Sequence, residues 1–237
     1  MTSEALAALK DRLAEVRLLV RGDPLRPGHV ESDRQSHEVV PLSNALNRAA
    51  VVLACAHLEG FLEDLLIEAI DFIVSAAPPV ERLPIILRAL HAEAHLGPLE
   101  LTRDRNARAV KIRVMFEAEN EIWQPGKPVT QGMLRAATVA SQMSNPGSKE
   151  VRRFLELIGV NIESYLESRG TPSLLKRIDS LVMKRNSVAH GERTAVATHA
   201  DIDGYLETLR ELAIALTRAV AESVRDVCGQ THLPWAI

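Results

Sequence analysis

Three residues late in the sequence, Arg185, Asn186 and His190, have the right types to move a proton beside a phosphate. Arg185 falls on the stripe Leu174, Ile178, Leu181, Arg185, Val188, where helical spacing asks for apolar side chains throughout. An always-charged guanidinium in that place needs an anionic partner or a hydrogen-bond network, and a phosphate entering a cleft would serve. The plainer readings are an arginine that snorkels to the surface or one that pairs with a core carboxylate. His190 follows beside Gly191, where a helix is ending and the backbone can turn the imidazole towards the side that Arg185 uses. An imidazole titrates near neutrality, so beside a fixed cation it can transfer a proton while the cation holds the phosphate. Such a pair is enough for metal-free RNA cleavage by the 2'-hydroxyl. Lys184, next to Arg185, is a second candidate for substrate binding. A lone histidine near a helix end is also a common structural feature, so spacing alone leaves both readings open.

Other polar residues were weighed singly. His57 and Glu59 lie two positions apart, which is about 200° around an ideal helix, so they cannot share a face. Glu59, in an otherwise apolar helix, is expected to support the site as counter-ion of Arg185; His57 is expected to be a satisfied core or interface histidine. His91 and His95 could face one metal, but Glu93 stands between them out of zinc-protease order and no third ligand is in view. No metal and no cofactor is expected. Arg103, Arg105, Arg108, Lys111 and Arg113, interrupted only by Asp104 among acids, form a basic strip. It could track an RNA backbone or be a solvated helix face.

The elements that must position these residues are helical. Leu6, Leu9, Leu13, Val16 and Val20 recur at helical spacing, and Gly22 and Pro24 stop that helix, giving a span of about 3–21. Residues Asp23 to Pro41 carry three prolines and predict a loop or hinge. A long central helix follows over about 43–77, apolar on every side from Ala49 to Ala56 and therefore expected to be enclosed. Gly60 within it costs about 1 kcal/mol relative to alanine, which a close helix crossing would justify. Beyond Pro78 and Pro79, residues of about 80–160 predict a small helical insertion, with short helices near Val80–Leu96, Arg103–Glu121 and Ser148–Ile158, the last capped by Ser148 and ended by Gly159. Thr171 and Pro172 predict the start of the Arg185 helix, spanning 172–190. Thr198 with Asp201 predicts a capped last helix over 198–228. The expected fold is all-α, a single helical bundle of 1–237.

Composition agrees. Apolar residues make up 46% and aromatics only 3%, so the core is aliphatic, as helix packing favours. The net charge of -3 offers no global attraction to polyanions, and any such site must be a local patch. Two cysteines, Cys55 and Cys228, fit a reducing compartment. The N-terminus lacks a basic start and apolar block, and no apolar run approaches the roughly 20 residues of a membrane span. A cytoplasmic protein without membrane attachment is expected.

The stretch Arg185-Asn186-Ser187-Val188-Ala189-His190-Gly191 resembles the R-x4-H signature of HEPN domains, which often carry a polar residue directly after the arginine. Ala56-His57-Leu58-Glu59-Gly60-Phe61 resembles the matching segment of a prokaryotic branch similar to the MAE-type and RiboL-PSP HEPN proteins. The resemblance implies an α-helical bundle that homodimerises, so that two Arg-His pairs face one composite cleft which in active members cuts RNA. Arg185 would then bind and polarise the phosphate, His190 act as general base or acid, and Asn186 orient the phosphate or the histidine. It also implies a toxin or phage-defence role, with a possible antitoxin protein as partner. Other members only bind RNA, nucleotides or protein, which is the alternative. Where some toxins have a modifiable tyrosine two positions after the histidine, this chain has Glu192.

Overall fold

Aliphatic residues at helical spacing build the elements, and prolines and glycines end them. The computed structural model describes residues 2–25, 36–134, 136, 145–192 and 197–236, and helices dominate them with no strand among them. Helix α1, Glu4–Arg21, is capped by Ser3, whose Oγ accepts the Leu6 N–H, and it buries Leu6, Leu9, Leu13, Val16 and Val20 as expected. Helix α2, Ser36–Ala76, is the central one at 41 residues. It starts ahead of the expected Ser43 and carries Pro41 inside it, which corrects the reading of Pro41 as loop. A proline near a helix start forgoes one backbone bond while its fixed φ suits the helix.

The crossing expected at Gly60 is made by α1. A Cβ on Gly60 would stand 3.1 Å from Nη1 of Arg12, which itself lies 3.0 Å from Asp64 Oδ2. The expectation that Ala49 to Ala56 is enclosed on every side is overturned. Ala50, Val51, Ala54 and Cys55 are buried, but Val52 and Leu53 are 38% and 40% exposed, and Ala49 and Ala56 face outward with them. No element among the described residues covers that stripe.

After a 3₁₀ turn at Val80–Arg82, helix α3, Ile85–Leu101, passes through Gly97 and Pro98 and so outruns its expected end at Leu96. Helix α4, Arg105–Glu119, capped by Asp104, pairs with α3 and buries none of its residues. Helix α5, Ser148–Glu156, has Ser148 as its first residue and not as its cap; the Ser148 N–H donates to Asp179 Oδ1 at 2.7 Å. Gly159 follows with φ 79. A short helix α6, Ile162–Ser168, was not foreseen.

Helix α7, Leu174–Ala189, begins past the Thr171–Pro172 signal, because residues 172 and 173 form a turn ahead of it. Helix α8, His199–Cys228, has the anticipated capping box: Thr198 Oγ1 accepts the Asp201 N–H and Asp201 Oδ2 accepts the Thr198 N–H. Helix α2 packs against α1, α7 and α8, and α7 against α8, so the core lies around α2. No helix among the described residues is long and apolar enough to cross a membrane.

Candidate functional site

The site grows from the antiparallel contact of α2 with α7. Near one end Arg48 Nη2 donates to the Val188 carbonyl at 3.2 Å; further along, Cys55 Sγ lies 3.9 Å from the Leu181 carbonyl. The apolar stripe of α7 behaves as its spacing requires: Leu174, Ile178, Leu181 and Val188 are buried, and Arg185 between them is half-buried. Its Nη1 donates to Asn186 Oδ1 at 3.1 Å. Among the described residues Arg185 forms no ion pair with Glu59, although both act on the Cys55 thiol. Burial pushes that thiol up to about 12, against the pull of Arg185 and with the help of Glu59. Cys55 is thus a protonated core group, whereas the expected Arg185–Glu59 pairing takes the form of a shared neighbourhood.

His190 caps α7. Its N–H donates to the Asn186 carbonyl at 2.9 Å, Gly191 turns the chain at φ 76, and the imidazole is exposed. Asn186 therefore serves both ends of the motif, its side chain meeting Arg185 and its carbonyl holding the His190 backbone. Among the described residues Arg185 and His190 do not bond each other. Lys184 sits elsewhere, about 100° around the helix from Arg185. It lines a groove of about 470 Å³ with Lys176, Ser180, Ser187 and Glu192 on the outer face of α7.

His57 lies on the α1 side of α2. Burial and the charge of Arg12 lower its pKa, with Glu15 opposing, so it is a neutral packing group at neutral pH. His95 pairs with Glu119 at 3.2 Å, while the side chains of His91 and Glu93 lie outside the described residues. The basic strip is partly spoken for. Lys111 Nζ donates to Thr102 Oγ1 at 2.9 Å, and Arg113 meets Glu117 at 3.5 Å.

Two features escaped the sequence reading. Arg48 is a second guanidinium at the end of α7, holding one of the carbonyls that a helix end leaves without partners. In the polar run preceding the apolar stretch, its only signal was a cation on a face otherwise turned inward. The other feature is a buried carboxylate, Asp23, which accepts from Ser43 Oγ at 2.7 Å and from the Leu25 N–H at 2.9 Å. His199 Nε2 stands 2.6 Å from the same carboxylate. Burial opposes its charge, but these hydrogen bonds prevail and hold the carboxyl below the ordinary aspartate range. The group ties the end of α1 to α2 and to the first turn of α8. Asn47, one turn after Ser43, is buried with its Oδ1 unpartnered among the described residues.

Chemically the arrangement offers a fixed cation, an amide that orients it and an exposed imidazole on one helix end. No curated protein and no solved structure matches the chain. A model of the family described as RiboL-PSP-HEPN matches residues 9–224, spanning α1 to α8 and including the whole Arg185–His190 motif. The chain belongs to the RiboL-PSP-HEPN family.

Proposed function

We propose that the protein is an endoribonuclease that cleaves RNA by attack of the 2'-hydroxyl on the adjacent phosphate, with no metal taking part. The observation that carries this reading is the half-buried Arg185, oriented by Asn186, on the same final turn as an exposed His190. Arg185 grips the phosphate through its planar fork, His190 transfers the proton, and Asn186 keeps the guanidinium in register. Lys184 and the outer groove of α7 hold the flanking strand.

The reading includes a homodimer with its two-fold axis near His190. It is supported by the outward stripe Ala49, Val52, Leu53 and Ala56 on α2, beside the residues that face α7. A symmetric interface places the same patch on both chains, and these aliphatic side chains are a suitable seam. The toxin or phage-defence setting and an antitoxin partner rest on the family resemblance alone.

The test is incubation of purified protein with total RNA in EDTA. Wild type is expected to cut and to leave 2',3'-cyclic phosphate ends. His190→Ala, with its circular dichroism unchanged, should lose about 10²- to 10⁴-fold or more, the usual contribution of general acid-base catalysis. Equal cleavage by both proteins defeats the assignment, and RNA binding without cleavage moves the protein to the non-catalytic reading.

A further inference from the structure

Helix α4 presents nearly its whole surface to solvent. A helix of this length is marginal in water on its own, and helices in proteins draw their stability from packing one face. Yet α4 buries none of its residues; α3 and the following 3₁₀ turn, Asn120–Trp123, are its neighbours among the described residues. Arg105, Arg108, Ile112 and Phe116 recur along one stripe, and Phe116 is 65% exposed, with Val110 and Val114 also bare. Arg105 and Arg108 meet no carboxylate among the described residues.

The complementary surface is carried by α1 and the last turns of α2, the helix that leads through Val80–Arg82 into the arm. A cleft of about 650 Å³ runs between the start of α1 and the last turns of α2. Its floor is Ile67, Phe72 and Trp235, and its rim carries Glu4, Asp64, Glu68 and Asp71. Of these acids Asp64 is paired with Arg12 and Glu68 accepts from Ser3 Oγ and the first N–H groups of α1, which leaves Glu4 and Asp71 to outside cations. The indole of Trp235 is buried with its N–H unpartnered among the described residues.

We infer that the α3–α4 arm of one chain docks in this cleft on a second copy of the chain, and reciprocally, so that two arms close a symmetric contact. Ile112 and Phe116 lie on Phe72 and Trp235 of the other copy, and Arg105 and Arg108 meet Asp71 and Glu4. Both surfaces mix aliphatic and aromatic groups with charge, and the charges are opposite, as interfaces favour. RNA is the weaker occupant, because a phosphate backbone would satisfy the arginines while leaving Ile112 and Phe116 on the same stripe bare. The cleft residues Glu68 and Asp71 stand about 30 Å along α2 from Arg48, at 1.5 Å per residue, so the cleft is separate from the nuclease site and from the seam near His190.

The experiment is sedimentation velocity on the full chain at micromolar concentration, comparing wild type, the pair Glu4→Arg with Asp71→Arg, the pair Arg105→Glu with Arg108→Glu, and the four combined. All these positions are exposed, and circular dichroism checks the fold. Together with the seam near His190 the two contacts join four chains, so each of the first two variants is expected to take the assembly from four chains to two and the combined charge swap to restore it; Phe116→Asp should halve the mass as well. Unchanged mass in the single-sided variants overturns the inference, as does failure of the combined variant to recover. If the arginine pair instead weakens binding of a fluorescein-labelled single-stranded RNA while the mass stays constant, the arm is a nucleic-acid surface and the inference falls.

Discussion

At the scale of single residues, the shape of the arginine side chain matters more than its charge. Arg185 already spends one N–H on Asn186 Oδ1 and is half-buried. Arg185→Lys keeps the charge and loses the bidentate grip, so cleavage should fall nearly as far as in Arg185→Ala. Cleavage by Arg185→Lys at the wild-type rate would show that a point charge is enough. Arg48 acts one step away, through the Val188 carbonyl that anchors the turn carrying His190. Arg48→Ala should lower kcat by up to about 100-fold, the penalty for a displaced catalytic group, with little change in KM. An equal rise in KM alone would mean that Arg48 binds substrate and does not position His190. Cys55, pushed up to about 12 by burial, takes no part, and Cys55→Ser should leave the pH profile of cleavage unmoved.

Elements are held at the site by polar ties that cross between them. Asp23 joins the end of α1, Ser43 of α2 and His199 of α8 through one buried carboxylate. Its pKa is depressed in the folded state, so its stabilising contribution is complete above the ordinary aspartate value of about 3.9. That contribution is lost as pH falls through the lower folded value. Asp23→Asn should therefore cost about 1–3 kcal/mol at neutral pH, the usual penalty for weakening a buried network. The gap between variant and wild type should close in strong acid. Urea titrations at a series of pH values measure this directly; a gap that stays constant down to the lowest pH would mean that the charge of Asp23 contributes nothing.

For the whole molecule the deciding question is what covers the aliphatic stripe of α2. Val52 and Leu53 are more than a third exposed on a helix that is otherwise central to the core. Seated in a dimer seam, a charge there is not tolerated, so Leu53→Asp should halve the mass of the assembly by light scattering and reduce cleavage with it. A variant of unchanged mass would place the composite cleft elsewhere, and a half-mass variant with full activity would show that one chain carries a complete site.

The sequence by itself determined much of this protein. Aliphatic spacing made α1 and the Arg185 stripe legible, Thr198 with Asp201 marked the cap of α8, and Gly60 marked the crossing of α1 over α2. These are local signals, written within one or two helical turns, and local chemistry is enough to read them. Pro41 misled, because a proline removes one hydrogen bond but does not end a helix whose neighbours keep it packed. Tertiary structure alone decided the rest. The run Ala49 to Ala56 looked enclosed, and only the placement of α1, α7 and α8 showed which of its sides stays bare. Glu59 and Arg185 looked like an ion pair, but no ion pair joins them among the described residues, and both act instead on the Cys55 thiol. Arg48 and the Asp23 cluster could not be read at all, since their partners lie far away in the chain. Periodicity tells which side of a helix is apolar, while the identity of what lies opposite is a property of the assembled fold.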